Sequence, residues 1–185
     1  IKSLKRNEEV TLICENKEFA TLVIDEIFEI DPEDRIRHIY GTYDLTHPGV
    51  VTTLKRIGTL AISGEYSLID KTEDINVRRI KEAKEAIGAK HTSSIVMAAN
   101  PLHRAHERLI RQSLESTDLL VIFLLKPYDN QNISYDVRKE ALEFFINHFL
   151  PKNRVIIVPL ENSYIFAGYN EIIIDAIVAK NYGCD

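Results

Sequence analysis

Ile95-Val-Met-Ala-Ala-Asn100-Pro-Leu-His103-Arg-Ala-His106 opens as an apolar run and turns polar half-way. Ser94–Ala98 reads as a short strand and Pro101–Leu114 as a helix. Asn100 is a favoured N-cap, and Pro101 fits the first helical position, where no amide donor is needed. His103 and His106 then lie three residues apart and share a face of the first helical turns. Unpaired amides and the helix dipole make that end attractive to anions. Two imidazoles there can donate to phosphate oxygens and offset charge developing on a leaving pyrophosphate. The same pair could instead be surface residues or two of a metal's ligands. No third ligand stands out nearby, so no metal site is expected.

Outward from this stretch the chain alternates strands and helices. Leu119–Leu125 is a continuous apolar strand of the kind buried on both faces. Ser134–Leu150 reads as a helix anchored by Val137, Ala141, Phe144, Phe145 and Phe149, followed by a strand at Arg154–Pro159 and a helix at Asn170–Asn181. Strands alternating with helices predict parallel βαβ units. Upstream, Val10–Cys14, Ala20–Phe28, His38–Tyr40, Leu60–Ser63 and Tyr66–Ile69 are short apolar runs separated by turn signals such as Gly41, Pro48, Gly58 and Gly64. They predict a small β-rich, barrel-like module with one helix at Gly49–Ile57. The charged stretch Lys71–Lys90 carries Ile75, Ile80, Ala83 and Ile87 at helical spacing and stops at Gly88, which suggests a linker helix. The expected division is therefore residues 1–88 and 89–185, an α/β chain whose second part is a Rossmann-like parallel sheet.

The 185 residues carry a net charge of -5, with hydrophobic residues at 45% and charged ones at 28%, a globular composition. Neither half is basic, which argues against a nucleic-acid backbone as partner. Leu119–Leu125 is far too short to span a bilayer, and no signal peptide is visible. Cys14 and Cys184 are far apart and form no metal-finger spacing; isolated thiols suit a reducing cytoplasm. With Ile1 in place of Met, the chain is expected to be trimmed.

Asn100-Pro-Leu-His-Arg-Ala-His-Glu107 resembles the signature of the ATP sulfurylase (sulfate adenylyltransferase) family, within the HxxH/HIGH-type nucleotidyltransferases. Further pieces follow in family order. Gly41-Thr-Tyr-Asp44 with His47-Pro-Gly-Val50 resembles a segment of the family's N-terminal PUA-like domain. Lys126-Pro127 with Tyr135-Asp-Val-Arg138, then Ala167-Gly168 and Lys180-Asn-Tyr-Gly-Cys184, resemble later family segments. The resemblance runs from about Ala20 to the end. It implies a PUA-like domain followed by a C-terminally incomplete nucleotidyltransferase domain. The implied reaction is attack of sulfate on the α-phosphorus of ATP, with Mg²⁺ accompanying the nucleotide. It further implies that His103 and His106 touch the triphosphate, that Asn100 orients it, that Leu102 and Lys126 join the ATP site, and that the protein forms homo-oligomers.

Three departures bear on the acceptor. The family's Gln-Thr-Arg, which holds the sulfate, is Met97-Ala-Ala99 here. An arginine is missing from Tyr164-Ile-Phe-Ala-Gly-Tyr169, and the chain ends before the family's Gly-Arg-Asp-His-Ala-Gly loop. Met97, Ala98 and Ala99 are thus expected to line an altered acceptor pocket. The alternatives to a sulfate adenylyltransferase are an adenylyltransferase with another acceptor, or a degenerate family member without activity. His47 and Asp44 read as structural turn residues, Arg138 as a salt-bridge partner in the first turns of its helix with an ATP-site role as the alternative, and Arg104 and Arg108 as solvated. Lys126, at the carboxyl edge of the sheet, is a candidate anion contact.

Overall fold

A computed structural model describes residues 3–14, 16–70, 74–126, 133–161 and 167–185. Pro127 and Tyr164–Phe166, which belong to the motifs above, lie outside the described residues. The chain forms two compact units, Ile1–Thr72 with Phe166–Gly168, and Glu73–Ile165 with Tyr169–Asp185.

The first unit is an antiparallel meander, β1 (Glu9–Cys14), β2 (Lys17–Glu29) and β3 (Leu60–Leu68), in the order β1-β2-β3. Among the described residues these strands form an open sheet rather than the expected barrel-like closure. Leu60–Ser63 and Tyr66–Ile69 are not two strands. They fuse into β3 through Gly64, which faces a register shift in β2 between Ile24 and Glu26. A Cβ at Gly64 would sit 2.0 Å from the Val23 carbonyl oxygen, so the glycine answers a close backbone approach instead of a turn. His38–Tyr40, expected as a strand, is the last turn of helix α1 (Pro32–Tyr40). Asp31 caps that helix, accepting from the Glu33 and Asp34 amides at 2.9 and 3.3 Å, Pro32 occupies its first turn, and Gly41 closes it in the left-handed conformation. Helix α2 (Pro48–Leu54) falls where a helix was expected, and the His47 imidazole caps it by accepting the Val50 amide at 3.4 Å. Asp44 accepts from the amide and hydroxyl of Thr46, each at 2.8 Å, and these bonds hold its carboxyl below the usual range. Both residues hold turns, as the sequence suggests.

The second unit contains α3 (Ile75–Ile87), β4 (Thr92–Met97), α4 (Arg104–Ser113), β5 (Leu119–Leu125), α5 (Tyr135–Phe149), β6 (Val155–Leu160) and α6 (Tyr169–Asn181). Its sheet is parallel, in the order β4-β5-β6. Central β5 is buried on both faces, as its unbroken apolar run predicts: Leu119 to Leu124 are each at most 1% exposed. Leu120, Ile122 and Leu124 pack with Met97, Ile110, Leu142 and Phe145. Val121 and Phe123 pack on the opposite face with Ile80, Val158 and Ala179. Because Ile80 belongs to that core, α3 goes with the second unit, and the chain divides after Thr72 instead of at residue 88.

Helix α5 is rotated from the expected face. Arg138, Leu142 and Phe145 are buried, whereas Val137, Phe144 and Phe149 are more than half exposed. The i, i+4, i+7 stripe facing the sheet therefore includes an arginine, and its partners explain why.

Gly64→Ala places a methyl inside the β2 backbone and is expected to destabilise the first unit by about 1–3 kcal/mol or more. Unchanged denaturant midpoint and slope in that variant would show that the β2–β3 register is different.

Candidate functional site

The motif stretch forms the end of β4, a turn, and the start of α4, but its capping differs from expectation. Helix α4 begins at Arg104, with His103 as its N-cap in an extended conformation (φ −148, ψ 173). Asn100 does not cap. The Asn100–Pro101 peptide is cis, and the Asn100 Oδ1 is engaged elsewhere, accepting the Ile133 amide at 3.1 Å. The Asn100 oxygen is turned to the approach of α5, and the cap of α4 falls to His103.

Two imidazoles take over that task. The His103 Nδ1 accepts the Ala105 amide at 3.3 Å, and the His106 Nδ1 accepts the His103 amide at 3.4 Å. This is a reciprocal capping box with histidine in both positions. The ring centroids lie 4.0 Å apart, tilted by 39°. An Nδ1 that accepts a backbone N–H carries no proton, so each neutral ring holds its proton on Nε2. His106 is partly buried, and burial followed by repulsion from His103 lowers its pKa below the ordinary imidazole value. The pair thus presents two neutral Nε2–H donors at the positive end of a helix, an arrangement suited to phosphate oxygens.

The neighbouring residues divide sharply. Met97 and Ala99 are 6% and 1% exposed and pack into the apolar core beside Ile110, and Leu102 packs against the same cluster. The side chains at 97 and 99 therefore do not line an open acceptor pocket as expected. They are apolar and follow the hydrophobic effect inward. Ala98 is exposed, and Ala99 has a left-handed backbone (φ 46). Lys126 directly follows β5. Its Nζ pairs with Glu161 and lies 5.9 Å from the Tyr135 ring centroid. It borders a cavity of about 450 Å³ with Arg79, Tyr135, Asp136 and Lys139. Arg104 and Arg108 are exposed, in line with the sequence reading.

Arg138 is the residue that sequence reasoning underestimated. It is 3% exposed, and among the described residues it pairs with no carboxylate. Instead its Nε donates to the Ile133 carbonyl at 2.9 Å, one terminal nitrogen to the Leu125 carbonyl at 2.9 Å, and the other to the Ala98 carbonyl. Burial pulls its pKa down, with Tyr135 opposing, though a guanidinium remains charged at neutral pH. The signal was present in the Tyr-x-Val-Arg segment, but nothing local says that the arginine's partners are backbone carbonyls. Among the described residues, no group of three or more His, Cys, Asp or Glu could hold a metal ion. No helix there is long and apolar enough to cross a membrane.

Comparison with known proteins sets this geometry in a family. A sequence model of ATP-sulfurylase matches residues 74–185, and one of a PUA-like domain matches residues 1–71. The chain belongs to the ATP-sulfurylase family. Curated sulfate adenylyltransferases from Halothermothrix orenii and Persephonella marina are 34% and 30% identical, covering 98% and 97% of this chain. That from Psychrobacter cryohalolentis is 28% identical over 98% of it. The chain spans about half the length of these relatives, 50%, 49% and 46% respectively. A hexameric APS kinase from Thiobacillus denitrificans has a similar fold, with a TM-score of 0.63 at 15% identity, over 99% of this chain and 34% of its own. The resemblance first carried by Asn100–Glu107 therefore holds for the family and for the PUA-like region before it.

The tautomers make a direct prediction. Nitrogen-15 spectra at pH 7.5 should report Nε2–H on both His103 and His106. The depressed pKa of His106 means that the folded state favours the neutral ring. Its stabilising effect is complete above the unfolded pKa near 6.5 and is lost as pH falls toward the lower folded value. Amide exchange at His103 and Ala105 should accelerate as pH drops through that window, relative to the rest of α4 after correction for intrinsic rates. Nδ1–H tautomers would contradict the capping assignment.

Proposed function

We propose that this chain carries the nucleotide site of a sulfate adenylyltransferase that acts on MgATP. A sulfate oxygen attacks the α-phosphorus, the bond from that phosphorus to the bridging oxygen breaks, and adenosine 5'-phosphosulfate and pyrophosphate are formed. His103 and His106 donate their Nε2–H groups to the triphosphate and take up the charge that develops on the leaving pyrophosphate. Asn100 orients the phosphates, and the Leu102 backbone completes the turn around them. Mg²⁺ arrives with the nucleotide, held by phosphate oxygens and water. The protein works in the cytoplasm as a homo-oligomer. Support comes from family membership and from the histidine capping box, which engages both Nδ1 atoms at a helix N-terminus and leaves each neutral ring its proton on Nε2. Chemistry of this kind needs positioning and charge stabilisation more than a covalent nucleophile. Lys126, already paired with Glu161, contributes at the margin of the site.

The test is pyrophosphate release by the full-length natural protein, with and without sulfate. Release should require sulfate. Replacing both histidines by alanine should lower kcat/KM by about 10²–10³-fold, the scale for lost oxyanion donors. An unchanged rate in the double variant would remove the phosphate role.

A second reading keeps the nucleotide site and changes the acceptor. It is favoured by one observation: Met97 and Ala99 lie in the core, where no side chain can grip a dianion. On this reading release is indifferent to sulfate and responds to a different acceptor. Ala99→Arg should then destabilise the protein by about 3 kcal/mol or more, because it buries an unpaired charge, without creating sulfate dependence. A stable Ala99→Arg variant with sulfate-dependent release would refute the second reading.

A further inference from the structure

Three hydrogen bonds link the motif turn to α5 and its approach. Asn100 Oδ1 accepts the Ile133 amide at 3.1 Å, and the Ile133 carbonyl accepts from Arg138 Nε at 2.9 Å. Arg138 in turn donates to the Ala98 carbonyl, and the backbone leads from Ala98 back to Asn100 through Ala99. The circuit is closed, and a further bond to the Leu125 carbonyl at 2.9 Å ties it to the end of β5. Inside the loop sits Ala99 at φ 46, a left-handed conformation that non-glycine residues adopt rarely and that persists when neighbours over-determine it. The Ile133 N–H can only donate, so the atom of Asn100 facing it is the carboxamide oxygen. That fixes which way the side-chain NH₂ is turned.

We propose that Arg138 is the positioning residue of the nucleotide site: it orients the Asn100 carboxamide through Ile133 and shapes the Ala98–Asn100 turn through the Ala98 carbonyl. The proposal rests on the nucleotide reading above and adds a residue whose guanidinium is bonded to backbone carbonyls on three segments. Because Arg138 acts through Asn100, the two should not be additive. A merely structural arginine would lower stability everywhere and add its effect to that of Asn100.

The experiment uses the full-length natural protein, Arg138→Lys, Asn100→Ala and the double variant, with the Mg²⁺ complex of α,β-methylene-ATP as probe. Each single change should weaken binding by roughly tenfold, and the double variant by roughly tenfold as well, since a shared element gives strong coupling. A near hundredfold loss in the double variant would overturn the proposal. Without ligand, the Ile133 amide should exchange faster in Arg138→Lys while β5 amides stay protected; an unchanged Ile133 rate would also overturn it. Should Arg138→Lys fail to fold, scalar coupling across the hydrogen bond between Arg138 Nε and the Ile133 carbonyl decides in the wild type. Its presence, with faster Ile133 exchange in Asn100→Ala, supports the circuit, and its absence sinks it. If the wild type does not bind the analogue, the nucleotide reading falls, and the ligand-free measurements still judge the circuit.

Discussion

A helix must find acceptors for its first amides, and in α4 the acceptors are imidazole nitrogens. The His103 and His106 Nδ1 atoms take the Ala105 and His103 amides, and this single fact sets most of the site. It starts the helix at Arg104, brings the rings to 4.0 Å, and leaves the remaining proton of each ring on Nε2. The atoms that hold the helix end are thus in the same rings as the protonated Nε2 atoms. A serine at 103 would cap comparably well, but its donor and acceptor would share one oxygen instead of standing on different atoms of a ring. The chemistry at these positions follows from the two-sidedness of imidazole.

Arg138 supplies the complementary constraint. Taking a cation out of water costs several kcal/mol, whereas each hydrogen bond from a charged group returns about 1.5–3 kcal/mol. Three such bonds, to Ile133, Leu125 and Ala98, bring the balance close to even. A residue that gains little net stability is better understood through what it holds in place. It also accounts for the roll of α5. Turning Arg138 toward the ends of β4 and β5 turns Leu142 and Phe145 inward with it and leaves Val137, Phe144 and Phe149 on the outside.

The parts legible in the sequence are those governed by local rules. The buried run Leu119–Leu125, the alternation of strands and helices, and the Gly88 stop of α3 follow from periodicity and backbone preference. Spacing puts His103 and His106 on one helix face, whereas the structure brings them together because His103 caps α4 and His106 closes the box. What escaped reading depends on partners distant in the chain. Asn100 looks like a cap until Ile133, far along the sequence, claims its oxygen. Gly64 looks like a turn until Val23 is placed opposite it. Phe144 and Phe149 look like anchors of α5, as Phe145 is, because hydrophobicity alone cannot reveal that an arginine has a better claim to the sheet face. In each case a long-range hydrogen bond or backbone contact overrode a sound local preference.

The fate of Met97 and Ala99 shows how sequence change and local structure act together. The resemblance implies a glutamine and an arginine at these positions, side chains too polar to enter a core made of Ile110, Leu120, Ile122, Leu142 and Phe145 without unpaired groups. Methionine and alanine carry no such penalty and pack there at 6% and 1% exposure. Both side chains therefore settle into the apolar core, with no polar group left there to satisfy. The two histidines are untouched by this, because their Nδ1 atoms are held by the amides at the start of α4. The histidine pair and residues 97 and 99 are accordingly held by separate physical devices in this chain. Helix capping fixes the first and core packing the second, so the second can change while the first stays intact.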